Sequence, residues 1–201
     1  MTRRLLDYGE SAVLLECDDL AEALSLVGPV REQLEPVVEV VPGARTLLLR
    51  LAAPLTGGQR EQLLTLPGSP PEADDRPPVA VPVRYDGDDL AEVAELTGLS
   101  PDEVVQAHTG QLWTVGFCGF APGFGYLRGE DDRLRVPRRQ TPRTRVPAGA
   151  VALADDWSAI YPRSGPGGWQ LIGRTELALW DLDRDPPALL QPGLRLRFEA
   201  L

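Results

Sequence analysis

The sequence predicts an α+β chain of two domains: a small α/β domain at residues 1–66 and a β-barrel or sandwich at residues 79–201, joined by a linker at 67–78. Three observations predict it. Apolar periodicity in the first part runs in the order β-β-α-β-β-α, which builds a compact sheet with helices on one face. Pro67 to Pro78 then holds five prolines, a Gly–Ser step and the acids Glu72, Asp74 and Asp75, a composition that cannot pack a core. Beyond Leu112, short apolar runs alternate with Gly/Pro turns, as small barrels and sandwiches do.

In the first domain, Leu5 to Tyr8 and Ala12 to Glu16 read as strands. Asp18 and Asp19 are candidate caps for a helix starting near Leu20, whose Ala23, Leu24, Val27, Val30 and Leu34 recur at helical spacing. Gly28–Pro29 interrupts that pattern and leaves a kink or a split open. Val37 to Val41 and Arg45 to Leu51 read as strands, and Gly57 to Leu66 as a short helix.

In the second domain, Val79 to Arg84 reads as a strand and Asp88 to Leu96 as a helix. Ser100-Pro101-Asp102-Glu103 is a capping-box helix start, and that helix ends near His108–Gly110. The expected strands that follow are Trp113 to Cys118, Val146 to Leu153, Ala159 to Tyr161, Trp169 to Ile172, Leu177 to Asp181 and Leu194 to Phe198.

Charge narrows the function. A net charge of −10 argues against nucleic acid and against anionic membranes as general partners. All twenty basic residues are arginine, a bias expected of GC-rich coding, so arginine signals anion binding only where it clusters. Cys17 and Cys118 form no CxxC pair and the start is not signal-like, which predicts free thiols and a cytoplasmic protein. No apolar stretch approaches the roughly 20 residues that span a bilayer.

Four segments carry candidate chemistry. Gly116 to Tyr126 alternates glycines with aromatics; on composition alone a tight barrel corner is the simpler reading, and no Walker lysine follows. Arg128 to Arg145 holds seven arginines, with prolines at 137 and 142 keeping it extended. Arg143 and Arg145 share one side of such a segment and suit a carboxylate or phosphate, while pairing with acids of this chain or a partner stands equally open. Tyr161 to Gln170 is a Gly-rich loop able to aim N–H groups at an anion; its Ser164 lacks a nucleophile elbow and reads as a turn hydrogen bonder. His108, the only histidine, is either a helix C-terminal residue favoured by the dipole or an acid/base group. One histidine and two distant cysteines build no zinc site.

Taken in order, His108-Thr109, Gly119 to Leu127, Pro137 to Gly149 and Pro166 to Thr175 resemble the family of 5-oxoprolinase B subunits, also labelled allophanate hydrolase subunit 1 or KipI-like. The likeness runs from about Val79 to Leu201, and the N-terminal half fits in length and layout. It implies a cyclophilin-like barrel for residues 79–201. It implies an obligate C-subunit partner and an A subunit, and ATP-driven opening of the lactam of 5-oxoproline to glutamate. ATP with magnesium would serve the complex, with no tightly bound cofactor, and the chain would be inactive alone. The alternatives are a regulator that binds a sensor histidine kinase and half of a biotin-dependent carboxyltransferase. On this resemblance His108, Arg143 and Arg145 are catalytic. Arg138, Arg139, Tyr161, Gly167, Gly168, Trp169, Gln170 and Arg174 bind substrate or phosphate. Phe120, Pro122, Gly123 and Phe124 line the pocket, and no residue ligates a metal. The chain departs from the pattern at Gly116-Phe117-Cys118, where an aromatic-aliphatic run is expected before Gly119. Gly165 stands where serine is expected, with Ser164 one place earlier, and Glu176 stands where proline is usual.

Overall fold

The computed structural model describes residues 3–70 and 76–201. The chain divides into two compact units, Met1–Ala73 and Asp74–Leu201, each closing its own hydrophobic core. Residues 71–75 of the expected linker lie outside the described residues.

The first unit follows the expected order. Strands β1 (Arg4–Asp7) and β2 (Ala12–Glu16) precede helix α1 (Leu20–Gln33). Strands β3 (Val37–Pro42) and β4 (Thr46–Leu51) then lead to α2 (Gly57–Thr65). The sheet runs β1-β2-β4-β3, all antiparallel. Alternation puts Val13, Leu15, Leu47 and Leu49 in one buried cluster with Leu26 and Val30 of α1 and Leu63 of α2. Asp19 caps α1 by accepting the Glu22 N–H at 2.8 Å. Pro29 neither splits nor ends the helix. A proline there leaves the Ser25 carbonyl without its intrahelical donor, and the Ser69 N–H supplies one at 2.9 Å. The start of the expected linker is therefore tied to α1, and Leu66 is buried beside it.

The second unit is built on a seven-stranded sheet. Its elements are β5 (Val79–Val83), α3 (Leu90–Thr97), α4 (Pro101–Thr109), β6 (Trp113–Cys118), β7 (Gly125–Arg128), β8 (Arg143–Val146), β9 (Ala150–Ala154), β10 (Trp157–Ile160), β11 (Gly165–Gly167), β12 (Gln170–Arg174) and β13 (Arg195–Ala200). The order is β12-β9-β10-β7-β6-β13-β5, antiparallel except for the parallel β13–β5 pair. Arg84, just past β5, bridges Arg174 of β12 through two backbone hydrogen bonds of 2.9 Å, which joins the two edge strands and closes the barrel. Val81, Val115, Leu127, Leu153, Ile160, Ile172 and Phe198 fill the interior. The Ser100 capping box forms as expected.

Three elements differ from expectation. Val146 to Leu153 is not one strand, because Pro147 and Gly149 (φ 78°) turn the chain between β8 and β9. Leu177 to Asp181 forms no strand; only Trp180 makes an isolated bridge, to Ala188. Conversely β7 and β11 form where Gly-rich sequence reads as turn, because neighbouring strands supply their hydrogen bonds. No helix among the described residues is long and apolar enough to cross a membrane.

Candidate functional site

Strands β8 and β11 make a separate two-stranded ribbon, with Arg143 opposite Gly167 and Val146 opposite Gly165. The Arg139 N–H also donates to the Gly168 carbonyl at 2.7 Å. The arginine-rich segment and the Pro-Gly-Gly-Trp turn are thus hydrogen-bonded neighbours. Gly167 is required there, since any side chain would collide with the Tyr161 hydroxyl. Val146 joins a buried cluster with Phe124, Tyr161 and Trp169. Phe124 meets Tyr126, Tyr161 and Trp169 edge-on at 5.2, 5.4 and 5.8 Å. Burial pushes the Tyr161 phenol above its ordinary value. Arg138 stands over the Trp169 ring at 5.9 Å.

The Gly119–Gly123 turn adds an exposed aromatic. Phe120 is 61% exposed and holds φ 68°, a left-handed conformation that costs a non-glycine residue about 1–2 kcal/mol. Its ring edges onto Phe124 at 5.2 Å and Tyr161 at 6.3 Å. Pro122 is exposed, whereas Gly123 and Phe124 are buried, so these last two support the wall and do not line an open pocket.

Most of the seven arginines are already matched. Arg128 meets Asp132 and Asp156, Arg133 meets Asp131, Arg135 meets Asp156, and Arg138 meets Asp155. Arg139 and Arg143 converge on Asp89, at 2.5 and 2.7 Å from the same Oδ1. Asp89 is only 2% exposed, and its Oδ2 accepts the Leu171 N–H at 2.7 Å. The hydrogen bond to Asp89 holds the Arg143 guanidinium more firmly protonated than usual. Arg145 has no carboxylate partner among the described residues; its Nε donates to Ser164 Oγ at 3.2 Å. Gln170, 1% exposed, lies beside Glu92 and the Pro137 carbonyl at 3.4 Å each.

Two of the expected site residues lie apart from the ribbon. His108 is fully buried in the barrel core, with Nδ1 2.7 Å from the Tyr85 hydroxyl and Nε2 3.0 Å from Ser158 Oγ. Its ring packs on Trp113 and Phe198, and burial lowers its pKa to about 3. Both nitrogens of this enclosed imidazole are engaged within the core. Arg174 is not part of the ribbon. It pairs with Asp86 at 2.8 Å and lines a recess of about 260 Å³ with Pro82, Arg84, Thr175 and Leu177.

Asp89 and Glu92 are the site residues that sequence reasoning passed over. The signal was present but ambiguous: an Asp before an apolar helical run reads as a cap. Asp89 does occupy the N-cap position of α3, yet its side chain makes no cap hydrogen bond and turns to the arginines and to β12.

The model of the carboxyltransferase domain, subdomain C and D, matches residues 3–190. The chain is 38% identical to the 5-oxoprolinase B subunit of Escherichia coli O157:H7 over 205 residues, covering 94% of this chain and 92% of that protein. It is 46% identical over 123 residues to the protein of the same name from Bacillus subtilis strain 168, covering 60% of this chain and about half, 51%, of that one. The crystal structure of TTHA0988 superposes with a TM-score of 0.75 at 37% identity, over 99% of this chain and 40% of the longer relative. The urea amidolyase of K. lactis shares the fold, at a TM-score of 0.75 and 18% identity over 99% of this chain and 15% of that one. The chain belongs to the carboxyltransferase family of subdomains C and D.

Proposed function

We propose that this chain is the B subunit of an ATP-dependent 5-oxoprolinase, working with a C subunit and an A subunit in the cytoplasm. The ribbon and the aromatic turn would be its share of a site that the C subunit completes. The observation that carries the reading is the 38% identity along nearly the whole length of a protein named as the B subunit of 5-oxoprolinase. The geometry supports it: Phe120 and Pro122 of the turn are exposed, as are Arg145, Ser164 and Pro166 of the ribbon and its approach, where Arg145 meets Ser164 at 3.2 Å. An unstrained lactam resists water, and ATP would supply activation of its carbonyl. This chain's residues would bind and orient. A guanidinium and Gly-rich N–H groups would meet an anionic oxygen, and the aromatic cluster would exclude water. Among the described residues no group of three or more His, Cys, Asp or Glu is gathered for a metal.

Co-expression with the C and A subunits, followed by an assay of glutamate formed from 5-oxoproline, tests this. Activity should require ATP and all three chains. Full activity without this chain would sink the proposal. A second reading, carboxyl transfer from carboxybiotin, is favoured by the carboxyltransferase description of the matched family. ATP-independent decarboxylation of carboxybiotin by the complex would establish it instead.

A further inference from the structure

We infer that Asp89 is a positioning residue which takes up Arg139 and Arg143, and that Arg145 with Ser164 is the pair that meets the substrate's anionic group. The inference rests on the proposed 5-oxoprolinase reading and selects among its arginines.

Charge pairing makes the selection. Arg139 and Arg143 bring two positive charges into a cluster with three acids: Asp88 at 3.8 Å from Arg143, Asp89 at 2.5 and 2.7 Å from the two arginines, and Glu92 at 3.4 Å from Arg139. An approaching carboxylate or phosphoryl oxygen meets more negative than positive charge there, and beyond roughly 8–10 Å salt screens what is left. Arg145 differs. Its one partner among the described residues is the neutral hydroxyl of Ser164, so its charge is uncompensated and its terminal N–H groups keep the bidentate fork that suits an anion. The same geometry gives the departure from the family pattern a role: the hydroxyl sits at 164, within reach of Arg145, just before Gly165 opens β11.

Asp89 fixes where this pair stands. Its backbone N–H donates to the Leu171 carbonyl at 2.9 Å while its Oδ2 accepts the Leu171 N–H, so it grips β12 twice. Through Arg139 it holds the segment leading to the ribbon, and through Arg143 it holds β8 itself, two residues before Arg145. β8 in turn pairs with β11, which follows Ser164. The local geometry is built for this contact. Any side chain at Gly87 would collide with the β12 backbone, so only glycine lets the Gly87–Asp89 segment lie flat on that strand. The cost is visible in polar atoms left buried without partners, namely Arg139 Nε, Arg143 Nη1 and Gln170 Oε1.

Two measurements test the assignment. Arginine-selective labelling with p-hydroxyphenylglyoxal, mapped by peptide mass spectrometry, needs no activity. In the wild-type chain Arg145 should react about tenfold or more faster than Arg139 and Arg143. In Asp89→Asn those two should become reactive while Arg145 keeps its rate. Equal reactivity of all three in the wild type overturns the partition. In the assembled enzyme, with rates normalised to folded protein, Arg145→Ala should lower kcat/KM for 5-oxoproline about 100-fold and Arg145→Lys should recover part of it. Protection of Arg145 from labelling by 5-oxoproline, but not by 2-pyrrolidinone, assigns the contact to the carboxylate; protection by inorganic phosphate alone assigns it to a phosphoryl oxygen. Loss of activity in Arg163→Ala, with Arg145→Ala unaffected, overturns the assignment. If the wild-type complex leaves 5-oxoproline intact, the functional reading fails while the labelling pattern still decides the role of Asp89.

Discussion

The barrel unit buries two polar residues in opposite ways. His108 is sealed in the core, both ring nitrogens engaged by Tyr85 and Ser158 and its faces covered by Trp113 and Phe198. Asp89 is almost as deeply buried, but its partners are two arginines that lead outward to the ribbon. The first arrangement ends where it begins and serves the fold. The second carries a fixed position from the barrel wall to exposed residues, which is what a binding face needs. Burial and an unusual ionisable group therefore do not mark a site by themselves; the difference lies in where the hydrogen-bond chain ends.

Removing Asp89 should produce the largest effect. Asp89→Ala leaves two half-buried guanidiniums facing each other without their shared carboxylate, and the unfolding free energy should fall by about 3 kcal/mol. Urea denaturation measures it, and a loss under about 1 kcal/mol would show that solvent screens the arginines and that the contact is peripheral.

Acid should act on the other network next. His108 has a pKa of about 3 when folded, below its ordinary value of 6.5, so the unfolded chain binds a proton that the folded chain refuses. That contribution is whole above pH 6.5 and is lost as pH falls toward 3, by at most about 1.4 kcal/mol per pH unit. Between pH 7 and pH 4.5 it amounts to about 2–3 kcal/mol, and His108→Gln should remove that slope. Identical pH profiles for the two proteins would mean that His108 is reached by solvent.

The smallest effect sharpens the comparison at the surface. Phe120→Gly relieves the left-handed backbone and should leave stability unchanged or raise it by about 1 kcal/mol, while weakening association with the proposed C subunit. A Tm scan and a binding titration read the two effects separately. A large loss of stability would instead make Phe120 a core residue.

Regular elements were legible where local pattern and tertiary context agree. Ala12–Glu16 and Trp113–Cys118 form at the expected residues, and the Ser100 capping box closes. Pro29 shows the limit. Its sequence signal is a helix break, and the helix continues because a backbone N–H forty residues later satisfies the carbonyl it orphans. The strands β7 and β11 escaped for the same reason, since Gly-rich segments become strands only when others present an edge.

The sequence by itself determined the α+β class, the family-bearing order of motifs, and the presence of arginines, glycines and aromatics in one stretch of chain. All of these are carried by residues close together in sequence. Which arginine is free, that the histidine is enclosed, and that Asp89 abandons its cap for the ribbon were decided only by the tertiary structure. They depend on partners distant in sequence, from Ser164 nineteen positions after Arg145 to Ser158 and the Asp89 arginines, fifty or more positions from His108 and Asp89. An ion pair or a buried hydrogen bond is fixed by distance in space, and no local periodicity encodes that distance.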